Sequence, residues 1–152
     1  MTRLRFRNVD AAPADPVETW PFEGVLTAVE RGTLTDWRRL AAAVRREPWG
    51  GVARDLEQAL HVARPYGTAP LLERALERAR RARALAEREE VARRVRAAID
   101  DSGLDRAAFA ERIGTSASRL STYATGRVAP SSTLLVRMER LAAANDGRTD
   151  EA

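Results

Sequence analysis

"DRAAFAERIGTSASRLSTYATG", residues 105 to 126, decides how this chain is read. Asp105 offers a side-chain oxygen to cap a short helix whose apolar positions are Ala107, Phe109, Ala110 and Ile113. Gly114 ends that helix, because a residue without Cβ enters the left-handed conformation a tight turn demands. Ser116 caps another helix only two residues later, over 116–124, with Leu120 and Tyr123 on its inner side. Gly126 and Pro130 mark the exit, and Ser131 caps a fourth helix bearing Leu134, Leu135, Met138 and Leu141.

Two short helices joined by a turn with glycine make a helix-turn-helix. That geometry needs a small residue where the helices cross, a glycine in the turn and a buried aliphatic on the second helix. Ala110, Gly114 and Leu120 stand at those places. The second helix is unusual for this chain, since Ser, Thr and Ala replace the long charges found elsewhere.

The chain has 152 residues, enough for one domain or two very small ones. It is 44% hydrophobic and 32% charged with 5% aromatics, a foldable composition that favours helices. Every one of its 26 basic residues is arginine, a bias that a GC-rich genome would produce by itself. Distribution is more informative than the total of +4: residues 91–145 hold nine Arg against five Asp/Glu, whereas residues 1–70 hold ten against nine. The excess points mildly to a polyanionic partner. No apolar run approaches the about 18 residues of a membrane span, and no apolar segment follows the first arginines as in a signal peptide. Cysteine is absent, which excludes disulfides and thiolate metal sites. A cytoplasmic, nucleoid-associated location is the expectation.

Upstream, residues 1–16 read as an extended arm docked through Trp20. Residues 17–67 read as a small helical module for dimerisation or partner binding. Its first helix opens at Pro21 and stops at Gly32, with Phe22, Leu26 and Val29 on one face. Thr33 and Asp36 have capping-box spacing ahead of Trp37, Leu40, Ala41 and Val44. Pro48 is expected to open a third helix with Val52, Leu56 and Leu60, ended by "RPYG" at 64–67. A helical connector, 68–90, belongs to a pattern running from Pro70 to Asp101 through Leu72, Ala75, Leu76, Ala79, Ala82, Ala86, Ala92, Val95 and Ile99. It is either one long helix or a helix broken near Arg80 to Arg83. The helix-turn-helix domain takes 91–145, and the polar tail 146–152 reads as disordered. The fold class expected is all-α.

Residues 91 to 144 resemble the Cro/phage-repressor (XRE) class of helix-turn-helix domains. The resemblance rests on "SGLDRAAFAERIGTS", "LSTYATG" and "APSSTLLVRMERLA", and covers about a third of the chain. It implies that the helix at 116–124 is a recognition helix lying in the major groove of double-stranded DNA. Ala117, Ser118 and Thr122 would then face the bases. Arg119 would lie toward a phosphate and also reach a guanine, while Arg106, Ser116, Ser121, Arg127 and Ser131 would hold the backbone. Ala110, Gly114, Leu120, Tyr123 and Gly126 would form the motif's frame. The small hydroxyls then have a reason: long acidic side chains would repel phosphates and obstruct the approach to base edges.

Departures from the family are specific. Arg106 stands where glutamine is common. Ile99 and Ala124 stand where the family tends to carry an arginine and a glutamate in a buried salt bridge. Their joint replacement is coherent, because removing one charge alone strands the other at about 3–5 kcal/mol.

Plainer readings stand beside these. A Ser/Thr/Ala helix also serves as a tight packing surface. The Arg/Glu alternation over 73–90 reads as a solvated face or as one side of a weak coiled coil. His61 has no ligating neighbours in sequence and reads as structural, so no metal site and no cofactor are expected. Trp20, Trp37 and Trp49 read as a small core or as the lining of a partner groove. An enzyme is not expected, since no nucleophile motif, phosphate-cradling loop or His–carboxylate pair is present. Asp100 and Asp101 diverge by about 100° on a helix and share no proton. The whole reads as a sequence-specific transcriptional regulator acting as a homodimer. The alternative is an antitoxin or other interaction protein whose 17–67 module binds a partner and whose DNA binding is autoregulatory.

Overall fold

The computed structural model describes residues 3 to 147, which hold seven α-helices and no strand. They are α1 (Phe22–Arg31), α2 (Leu34–Arg46), α3 (Gly51–Val62), α4 (Thr68–Ser102), α5 (Arg106–Ile113), α6 (Ala117–Ala124) and α7 (Ser132–Asp146). The chain is all-α. It divides into two compact units, one ending at Arg83 and one beginning at Ala84.

In the first unit the extended arm is part of the core. Leu4 is buried and Phe6 packs against the same cluster, while Arg3, Arg5 and Arg7 between them stay exposed. Phe6 meets Trp20 edge-to-face, with ring centroids 5.0 Å apart. Gly24 makes room for it, since a Cβ there would sit 3.2 Å from the Phe6 ring. Trp20 is the arm's dock, as the sequence implies, and the Arg39 guanidinium lies over its ring, 5.0 Å from the centroid.

Pro21 precedes α1 instead of occupying its first position. At the start of α2, Asp36 Oδ2 accepts from the Thr33 N–H at 2.8 Å and from the Thr33 hydroxyl at 3.0 Å. The third helix begins at Gly51, not at Pro48. Pro48 is itself fully buried, and the Gly50 N–H turns back to the Glu47 carbonyl at 3.0 Å, so residues 47–50 form a turn. Val25, Val29, Leu40, Val44, Leu56, Leu60 and Leu72 close the core, each contributing about 1.5–3 kcal/mol by leaving water.

Helix α4 is continuous over 35 residues, which settles the question left open at Arg80 to Arg83. Residues 81–90 are all exposed, Ala82 and Ala86 included, so the apolar stripe expected there faces solvent. Strong helix formers and no breaker hold this stretch, helped by Arg81–Glu77 and Arg93–Glu90 pairs.

The second unit has its own core of Val95, Ile99, Phe109, Ala110, Ile113, Leu120, Ala124, Leu135 and Met138. On α5, Ala107 is exposed, leaving Phe109, Ala110 and Ile113 inward. On α6 the second buried residue is Ala124, and Tyr123 is half-buried at the edge. The part of the expected tail from residue 148 lies outside the described residues, and Asp146 ends α7.

Candidate nucleic-acid interface

Three side chains and one glycine set the ends of α5, α6 and α7. Asp105 Oδ1 accepts from the Ala108 N–H at 2.8 Å and starts α5. Gly114 stops it at φ 79°, with its N–H on the Glu111 carbonyl and the Thr115 N–H on the Ala110 carbonyl. That pair of bonds satisfies two orphan carbonyls and needs a left-handed residue between them. Ser116 Oγ accepts from the Arg119 N–H at 3.1 Å, so only three residues, 114–116, separate α5 from α6. Ser131 Oγ does the same for α7, accepting from the Leu134 N–H at 3.2 Å.

Leu120 and Ala124 anchor α6 in the core, which fixes what its other faces present. Ala117, Ser118 and Arg119 are exposed, and Ser121 and Thr122 are half-buried. The Thr122 hydroxyl donates to the Arg119 carbonyl at 2.7 Å, so it offers a ligand its lone pairs and its methyl. Ser118 and Ser121 have no side-chain hydrogen bond among the described residues. Ser118 stands in the first turn of α6, and such a helix start favours an anion.

Along the sequence this segment is free of acidic residues. From Arg112 to Met138 the sequence contains four arginines and no carboxylate, in a chain with 22 acidic residues. Arg106, Arg119 and Arg127 are exposed and have no ion-pair partner among the described residues. Arg112 and Arg140 join them in this, and the sequence reading passed both over.

Two other arginines act on the frame. Arg137 Nη1 donates to the Ile113 carbonyl at 2.8 Å, and Arg96 Nη1 donates to the Ala124 carbonyl at 2.8 Å. Each places a cation on the last carbonyls of a motif helix, where the backbone dipoles favour it. Neither was singled out from the sequence, because among 26 arginines no local pattern separates a capping one from a solvated one.

Ile99 and Ala124 both lie in the second core. The tryptophans of the first unit sit differently from one another. Trp20 is buried with its indole N–H unpartnered, and Trp37 is half-buried and donates to the Ala28 carbonyl at 2.8 Å. Trp49 is 51% exposed. His61 is exposed, with its Nδ1 2.8 Å from the Glu57 carbonyl. No three His, Cys, Asp or Glu side chains converge as a metal site among the described residues. No helix among them is long and apolar enough to cross a membrane.

Comparison of the chain with protein-family models, with curated proteins and with solved structures returns no match.

Proposed function

We propose that this protein is a sequence-specific DNA-binding transcriptional regulator, with α6 as the recognition helix of a repressor-type helix-turn-helix. The observation that carries the reading is the outer face of α6. Small and hydroxyl side chains stand there on a helix anchored by Leu120 and Ala124, within a 27-residue stretch free of carboxylates. Ser118 and Thr122 are one helical turn apart, so both reach one groove floor, and Ala117 and the Thr122 methyl suit a thymine methyl. Arg119 supplies the one group of this helix able to reach a guanine, while Arg106, Arg127, Ser116, Ser121 and Ser131 hold phosphates. With so few bidentate groups, affinity rests mainly on backbone contacts and DNA shape. One such helix reads only a few base pairs, so the regulator works as a homodimer on paired half-sites, in the cytoplasm on the nucleoid.

The test is selection from a random duplex library with the full chain at about 0.15 M salt, where weak non-specific binding fades. A recovered motif supports the reading, and inverted repeats about 10 base pairs apart add the dimer. Enrichment of nothing sinks it. In the second reading the chain is an antitoxin or similar interaction protein. It draws on the separate core of the first unit and on the exposed indole of Trp49, which would then seat a protein partner.

A further inference from the structure

The first unit carries a basic cleft of about 630 Å³ that the recognition-helix reading does not use. Its one wall is the arm, which contributes Arg3, Arg5 and Arg7, and its other wall is the end of α1, with Thr27, Glu30 and Arg31. The alternation of the arm explains the arrangement. Leu4 and Phe6 turn into the core, which turns every intervening arginine outward to the same side. None of the four arginines has a hydrogen-bond or ion-pair partner among the described residues. Four guanidiniums against the single carboxylate of Glu30 leave three uncompensated positive charges in one concavity. The C-terminal dipole of α1 offsets only about half an elementary charge of that, so an anion is drawn in.

We propose that this cleft binds the sugar–phosphate backbone of nucleic acid, independently of sequence. Arginines two residues apart on an extended chain repeat every ~6.6–6.8 Å, so Arg3 to Arg7 span about 13 Å. A single phosphate would engage one or two of them. Successive phosphates of one strand, at about 3.4 Å of helix axis each, supply charge along the whole row. A lipid surface fits less well: Leu4 borders the cleft but is 7% exposed and Phe6 packs against the core, so the arm has little apolar surface to give an acyl layer. The inference rests on the DNA-binding reading for the identity of the anion, and its residues lie outside the unit that holds α6.

The test is the full chain with Arg3→Gln, Arg5→Gln and Arg7→Gln together, which removes exposed, unpaired charges and leaves Leu4 and Phe6 in place. Affinity for a random-sequence duplex is measured across a salt series, with circular dichroism melting to confirm that the core is unchanged. The expected result is a slope of log K against log salt shallower by about three in the variant. An unchanged slope with intact duplex binding overturns this inference alone. The same holds if the variant loses only binding to phosphatidylserine vesicles, or only binding to tripolyphosphate. Wild-type protein that binds no duplex at any salt overturns both this inference and the recognition-helix reading. A slope loss in protein that selects no motif keeps this inference and removes the other.

Discussion

Arg96 donates from Nη1 to the Ala124 carbonyl at 2.8 Å, while Ile99, three residues along α4, packs in the same core as Ala124. The C-terminal end of α6 is therefore tied to α4 by a cation on a backbone carbonyl. Glu89 holds the same guanidinium at 2.9 Å on its exposed side. Removing that arginine strips the last turn of α6 of its partner. Arg96→Ala should cost about 1.5–3 kcal/mol, the range for a hydrogen bond to a charged group. Amide exchange of α6 should accelerate about tenfold or more, with duplex affinity falling alongside. Unchanged exchange in α6 would show that the bond is incidental.

Gly114 tests the turn. Its φ of 79° is the left-handed region, and an added Cβ would meet only Arg137 Nη1 at 3.6 Å, an ordinary contact. The penalty of Gly114→Ala is then conformational and not steric, about 1–2 kcal/mol. Exchange in α5 and α6 reads it, and no loss of protection would contradict the left-handed turn.

At the interface, two substitutions separate holding from reading. Arg127→Ala should weaken binding to all duplexes alike and lower the salt slope by about one. A changed sequence preference would mean that Arg127 touches a base. Ser118→Ala should shift preference at one or two base pairs by up to about 1–3 kcal/mol in library selection. Identical selected motifs would remove α6 from base reading.

A pH dependence belongs to the first unit. Arg80 donates to both carboxylate oxygens of Glu57, at 2.8 and 3.1 Å, and to the Pro48 carbonyl at 3.0 Å. The hydrogen bonds from Arg80 hold the Glu57 carboxyl below its usual value of 4.5. Its stabilisation is full above that value and fades as pH falls through the lowered one. Because the Glu57 side chain is 47% exposed, screening limits the contribution to about 0.2–1 kcal/mol. Glu57→Gln should lower the Tm of this unit at pH 7, and the difference from wild type should shrink as the pH falls below 4.5. A constant difference across that range would place the effect elsewhere than in ionisation.

What the sequence made legible was mostly local chemistry. The caps at Thr33, Asp105, Ser116 and Ser131 and the turn at Gly114 depend on residues within a few positions, and each stands where spacing put it. Errors arose where tertiary burial decided. Pro48 looked like a helix start because proline suits that position, yet it fills the core and its neighbours turn. On α6, Ala124 joins Leu120 in the core, with Tyr123 partly buried against it. In the arm, Leu4 and Phe6 are too short a period-two pattern to stand out among arginines. Only the fold shows that it sorts three charges to one side.

The exposed stretch of α4 from Arg81 to Glu90 has a thermal consequence. Ten residues that neither core covers are kept helical by backbone bonds, propensity and exposed ion pairs such as Arg81–Glu77 and Arg93–Glu90, and such a segment frays well before a packed one. Heating should open it first and leave the chain to melt in two steps, each belonging to one core. Trypsin, which cuts after arginine, would enter at Arg81, Arg83 or Arg88 and release two resistant fragments.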